Sequence, residues 1–261
     1  MASIRPESAS DIDDAVFVAA RLGKRQPTID VIARYVPEAF AIATLLTGSF
    51  EVGRQAIHRL TVASMKQLPT WTDPDEGQRW FRHQAVLIAR QLGTSGVDDA
   101  QVFARPDRST PAGFSAFIRA VRKLPQQQQE SFLLQHGLNF DPRERGVAMD
   151  CSTTAAETHL REAERQLAPL LASDYDVMRT TLREGATRLL DVQDPKGFVA
   201  RRYRSPVGRR RRETLLGLLV ILCAAAGVAW LVWSFRTELR ELIETLPTQP
   251  SSTQPTSTRP S

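Results

Sequence analysis

Along most of this chain apolar residues return every three or four positions, the spacing that gathers side chains on one face of a helix. Between residues 29 and 46, Ile29, Ile32, Val36, Phe40 and Ala43 predict one such face, with Pro37 either opening a second segment or kinking the first. A second helix is predicted after Gly48, with Val52, Ala56, Leu60 and Ala63 on one side. The stretch PTWTDPDEG reads as a loop from its prolines and aspartates, and a third helix follows with Phe81, Ala85, Ile88 and Leu92 in register. Residues 94–112 are rich in turn formers and poor in periodicity, which marks a linker between two units.

Phe114, Phe117, Ile118 and Val121 open the second unit, followed by Leu124 and Pro125. Further on, Asp141 is placed to cap a helix with Pro142 at its first position. Ser152 or Thr153 caps the next helix, whose apolar stripe is Ala156, Leu160, Ala163 and Leu167. Joined through MDCS, the two have the proportions of a helix-turn-helix and equally of an ordinary helical hairpin. A helix from about Tyr175 to Leu190 carries Tyr175, Met178, Leu182, Ala186 and Leu189, stops before Asp194-Pro195, and packs on the second unit or self-associates. The expected fold is therefore all-α. An N-terminal segment (1–27) precedes a helical unit (28–93), the linker (94–112), a second small helical unit (113–170) and a further helix (171–192).

Charge changes the picture at the C-terminal end. The 261 residues hold 34 Lys and Arg against 29 Asp and Glu, a net +5. Eight of the basic residues fall between Pro195 and Arg212 with no acid among them, leaving 26 basic against 29 acidic residues elsewhere. All of the net basicity thus sits in one juxtamembrane-type segment (193–213). Directly after it, Thr214 to Phe235 is a run of 22 uncharged residues, about 33 Å of helix and enough to cross a bilayer core. A transmembrane helix at 214–235 is expected; the alternative, a buried helix apolar on every side, needs a large core around it. Trp230 and Trp233 fall near its far end, where indoles settle at a membrane interface. Arg209, Arg210, Arg211 and Arg212 anchor the near end, and short basic flanks stay cytoplasmic. The expected place is a bacterial cytoplasmic membrane, crossed once, with the N-terminal part in the cytoplasm, lipid as a partner, and a low-complexity disordered tail (236–261) outside. The small residues from Cys223 to Gly227 permit close helix approach and hence a homodimer in the bilayer.

Candidate chemistry is sparse. MASIRPESASDIDD has no apolar core and so no secretory-signal character, and DIDD reads as a helix N-terminus. Cys151 and Cys223 form no disulfide framework, and His58, His83, His136 and His159 show no ligand spacing with them. The expectation is no metal, no cofactor and no enzymatic activity, since no phosphate loop, nucleophile motif or carboxylate pair is visible.

Two longer stretches carry a family likeness. VIARYVPEAFAIATLLTGSF, followed by GQRWFRHQAVLIARQL, resembles the helical second region of extracytoplasmic-function sigma factors; Gly48, Ser49 and the pair Trp80-Phe81 occupy the family's places for a glycine, a turn and a Trp-Leu helix. KLPQQQQESFLLQHGLNF, continued by RERGVAMDCSTTAAETHLREAERQL, resembles the same family's fourth region, from Leu124-Pro125 through Phe132, Leu133 and Leu134 to Gly137-Leu138. The likeness covers about half the chain, Ile29 to Leu167. It implies that the first unit docks on core RNA polymerase and opens promoter DNA, while the second inserts its last helix in the major groove. On that reading Gln55, His58 and Arg59 face the polymerase, and Trp80 and Phe81 either open the promoter or belong to the core. Thr153, Thr154, Glu157, Thr158, Arg161 and Arg165 face DNA. The sequence departs from the family by offering Arg54-Gln55 and His58-Arg59 where acids are usual, a charge that opposes a basic clamp surface. On the last helix Glu157 is expected to pair with Arg161, and Arg145 stands where the family carries an apolar residue. The expected function is a membrane-tethered, sigma-like transcription regulator. The rival is a membrane-anchored interaction module or sigma antagonist that holds another protein without binding DNA.

Overall fold

Asp13 accepts a hydrogen bond from the Ala15 N–H at 2.7 Å and opens α1 (Asp14–Arg21), the helix start expected from the aspartate-rich N-terminus. Gly23, with φ at 77°, turns the chain into α2 (Arg25–Thr47), a helix of 23 residues that carries Pro37 inside it without breaking. A computed structural model describes residues 12–93, 100–103, 110–171, 174–203, 221–231, 233 and 235. Among the described residues regular structure is helical throughout, so the all-α expectation holds.

α2 is the axis of the fold. Tyr35, Val31, Ala39, Ile42 and Leu45 are buried along with the expected Ile29, Ile32, Val36 and Ala43, so the helix is covered on nearly every side; Phe40 is only half-buried. Around it pack α1, α3 (Phe50–Gln67), α4 (Pro74–Leu92), α7 (Gln126–Leu138), α10 (Tyr175–Leu189) and α11 (Pro195–Arg202). Ser49 caps α3 through the Val52 N–H, and Asp73 caps α4 through the Glu76 N–H at 2.6 Å with Pro74 at the first position. The buried face of α3 is turned from the expected one: Ala56 and Leu60 are inside, with Gly53, Ile57 and Ser64, while Ala63 is exposed.

Helices on either side of the expected linker share this core. α4 lies against α8 (Pro142–Met149), and α10 lies against both α2 and α7. Arg122, at the end of α6 (Phe114–Arg122), donates to the carbonyls of Leu45 (2.9 Å) and Leu46 (2.6 Å) and so neutralises the C-terminal end of α2. Within the expected linker, α5 (Ala100–Phe103) buries Phe103 completely against α10, and Arg188 donates to the Phe103 carbonyl at 2.6 Å. α11 falls in the segment expected to be merely basic. Asp194 caps it through the Gly197 N–H at 2.8 Å, Pro195 starts it, and Val199 is fully buried.

The chain divides into two bodies after Tyr203. In the second, residues 221–231 are helical with every side chain exposed, Ile221 at 66 % and Trp230 at 67 %. Among the described residues no helix is long and apolar enough to cross a membrane, so the fold as described does not support the expected span at 214–235. Much of that span, the four arginines Arg209 to Arg212 and the tail after 235 lie outside the described residues.

Candidate nucleic-acid interface

α8 and α9 (Thr153–Leu171) meet through a three-residue turn built by local chemistry. Asp141 accepts from the Glu144 N–H and the Glu144 carboxylate accepts from the Asp141 N–H, both at 2.8 Å, a complete capping box. Asp150 takes the left-handed conformation with φ at 59°, and Gly146 lets the turn close: a Cβ there would stand 2.9 Å from the Cys151 carbonyl oxygen. Ser152 then caps α9 through the Ala155 N–H at 3.1 Å. Ala156, Ala163 and Leu167 are buried beneath α9, and Leu160 is half-buried.

The opposite face of α9 exposes Thr153, Thr154, Glu157, Thr158, Arg161 and Arg165, all six residues expected there. Thr154, Thr158, Arg161 and Arg165 follow at intervals of four, three and four and so share one stripe. The expected Glu157–Arg161 pair does not form. Glu162 takes Arg165 instead, and Arg161 makes no ion pair with a described residue. Thr158 spends its hydroxyl proton on the Thr154 carbonyl at 2.9 Å.

Arg145, standing where the family carries an apolar residue, lies inside the body. It is buried at 1 % exposure and donates to the Gln135 side chain and to the Phe140 carbonyl at 2.8 Å, tying α8 to the end of α7; burial pulls its guanidinium below the ordinary arginine range. His136, on α7, is held neutral: burial, then Arg179 and Arg183, push it down to about 4 against the opposing pull of Glu164. Its Nε2–H donates to the Glu164 carboxylate at 2.8 Å, a hydrogen bond between α7 and α9 that does not require a charged imidazole.

The other expected site residues are scattered over the same body. Phe81 is core, at 1 % exposure, within an aromatic cluster with Tyr35 (5.2 Å between ring centres) and Trp71 (6.1 Å). Trp80 is half-buried at the edge of the cluster, 5.6 Å from the Trp71 ring. Gln55, His58 and Arg59 are exposed together on the outer face of α3, beside Arg54, which Glu51 holds at 2.7 Å. Trp230 and Trp233 are exposed in the second body.

The charged contacts that close α4 join segments far apart in sequence and leave no periodic signature. Arg82 donates to Glu38 (2.7 Å) and Glu144 (3.0 Å) and lies over the Phe140 ring, 4.6 Å from its centre. Burial works against its charge, but Glu38 and Glu144 outweigh it and hold the guanidinium above its ordinary range. Arg90 grips Glu130 through both carboxylate oxygens at 2.8 and 2.7 Å and donates to the Met149 carbonyl at 3.1 Å. The visible signal was two arginines flanking an apolar stripe; their partners lie 40 to 62 positions away in sequence. Among the described residues no group of three or more metal-ligating side chains converges. No family model, curated protein or solved structure matches the chain.

Proposed function

We propose that this chain is a membrane-tethered, sigma-like transcription regulator that contacts RNA polymerase and promoter DNA and performs no catalysis. The observation that carries the reading is the tight turn between α8 and α9 with Thr154, Thr158, Arg161 and Arg165 in one exposed stripe, the arrangement a major-groove helix needs. Arg161 supplies an uncommitted guanidinium for a base edge or a phosphate. Tethering rests on the uncharged run from Thr214 to Phe235 behind its arginine collar, together with an apolar helix at 221–231 that leaves every side chain exposed.

The second reading is an interaction module that holds another factor at the membrane. It is favoured by α4, whose Arg82 and Arg90 are committed to Glu38, Glu144 and Glu130 within the body. The full chain in nanodiscs, offered core RNA polymerase and a promoter fragment at low salt, separates the two. Retention of polymerase, with DNA binding that falls about tenfold or more in Arg161→Ala, is the expected result for one lost groove contact. Absence of both activities from the folded protein rejects the regulator and leaves the module.

A further inference from the structure

The turn between α1 and α2 is tied to the last helix of the first body: the Tyr203 hydroxyl donates to the Gly23 carbonyl at 2.9 Å across 180 residues of sequence. At that place the two segments VAARLGKR (18–25) and FVARRY (198–203) contain no acid. Arg201 reaches Asp194 at 3.8 Å, and Arg202 folds over Phe198, 3.6 Å from its ring centre. Arg21, Lys24 and Arg25 form no ion pair with a described residue, and Lys24 and Arg25 are exposed. Between them Leu22 is 74 % exposed, and Val18, one helical turn earlier on the same face of α1, is 52 % exposed. The acids of α1, Asp13 and Asp14, stand at its other end.

Cations that make no ion pair with a described residue, interleaved with exposed aliphatic side chains, match one kind of surface. Nucleic acid would reward the cations and leave Leu22 and Val18 in water, and among the described residues no exposed aromatic ring stands beside them for a base to stack on. An anionic bilayer rewards both, because the cations meet headgroups while the aliphatic tip enters the interfacial layer. The chain leaves this place at Tyr203 and enters a stretch with five further arginines, Arg204 and Arg209 to Arg212, before the uncharged run begins at Thr214. We infer that Val18, Arg21, Leu22, Lys24 and Arg25 form a docking surface for anionic lipid headgroups. This rests on the tether reading, and it makes the lipid a second contact for the folded body besides the anchor.

The test uses the full chain with Cys151→Ser and Cys223→Ser and a nitroxide on Leu22→Cys, in nanodiscs of phosphatidylcholine alone or mixed with phosphatidylglycerol. A several-fold fall in water accessibility of the label in anionic discs, abolished by Lys24→Glu with Arg25→Glu, is expected. A label on Thr158→Cys stays aqueous in both. Equal accessibility at position 22 in the two lipids overturns the inference, as does a fall produced only by added duplex DNA. Carbonate extraction reads the anchor separately. Should the chain wash off, cosedimentation with anionic vesicles still decides: binding weakened on the order of a hundredfold by the double reversal supports the surface, and no binding rejects it.

Discussion

His136 shows how a single buried side chain sets a condition on the whole body. An imidazole ordinarily titrates near 6.5, and here it is pushed down to about 4. Between those values the unfolded chain takes up a proton that the folded chain refuses, so the stability contributed is present above about pH 6.5 and is lost as pH falls toward 4. Acidification from pH 6.5 to 5 should cost about 2 kcal/mol through this residue. His136→Gln retains a donor for Glu164 and should remove that share of the slope in urea denaturation compared at pH 7 and pH 5; an unchanged slope refutes the assignment. Neither His136 nor Arg145 could be read from the chain. What makes each tolerable inside is a partner supplied by tertiary contact, Glu164 for one and the Gln135 side chain with the Phe140 carbonyl for the other.

Among elements, legibility followed the range of the forces involved. The start of α8 is visible in Asp141 and Pro142 because capping is chemistry within four residues, and Glu144 completes it as a capping box in the structure. The faces of α6 and α10 were visible because each is buried on one side only, and Phe114, Phe117, Ile118, Val121, Met178, Leu182, Ala186 and Leu189 are all inside. α2 was read too narrowly, since a helix enclosed by six neighbours has no polar side for a stripe to stand out against. α11 was missed because Asp194-Pro195 signals an ending and a beginning alike, and the Gly197 N–H bond to Asp194 decides for the beginning. The turn before α9 offers a test at this scale. Gly146→Val places a branched side chain where even a Cβ meets the Cys151 carbonyl at 2.9 Å and the Thr153 nitrogen at 3.3 Å. It should destabilise the protein by about 2–3 kcal/mol and displace the exposed stripe of α9. Thermal melting would measure the first effect and, under the proposed regulator reading, DNA affinity normalised to folded protein the second.

For the whole molecule the deciding contacts join segments that sequence alone would set apart. The Arg90–Glu130 pair spans the expected linker with Glu130 at 5 % side-chain exposure, so removing the cation strands a buried carboxylate. Arg90→Met should cost about 3–5 kcal/mol, whereas Arg90→Met combined with Glu130→Met should recover most of the loss. A urea double-mutant cycle reads this, and single substitutions costing less than about 1 kcal/mol would show that the pair is only a surface contact. The first body should also unfold in one transition, since α2 serves the core on both sides of the linker. The clasp of Tyr203 on Gly23 sets where this body may be cut. Shortening the chain to the end of α10 would strip Val199 from the interior and release the N-terminal turn, so a protease that frees the first body intact must cleave on the far side of Tyr203.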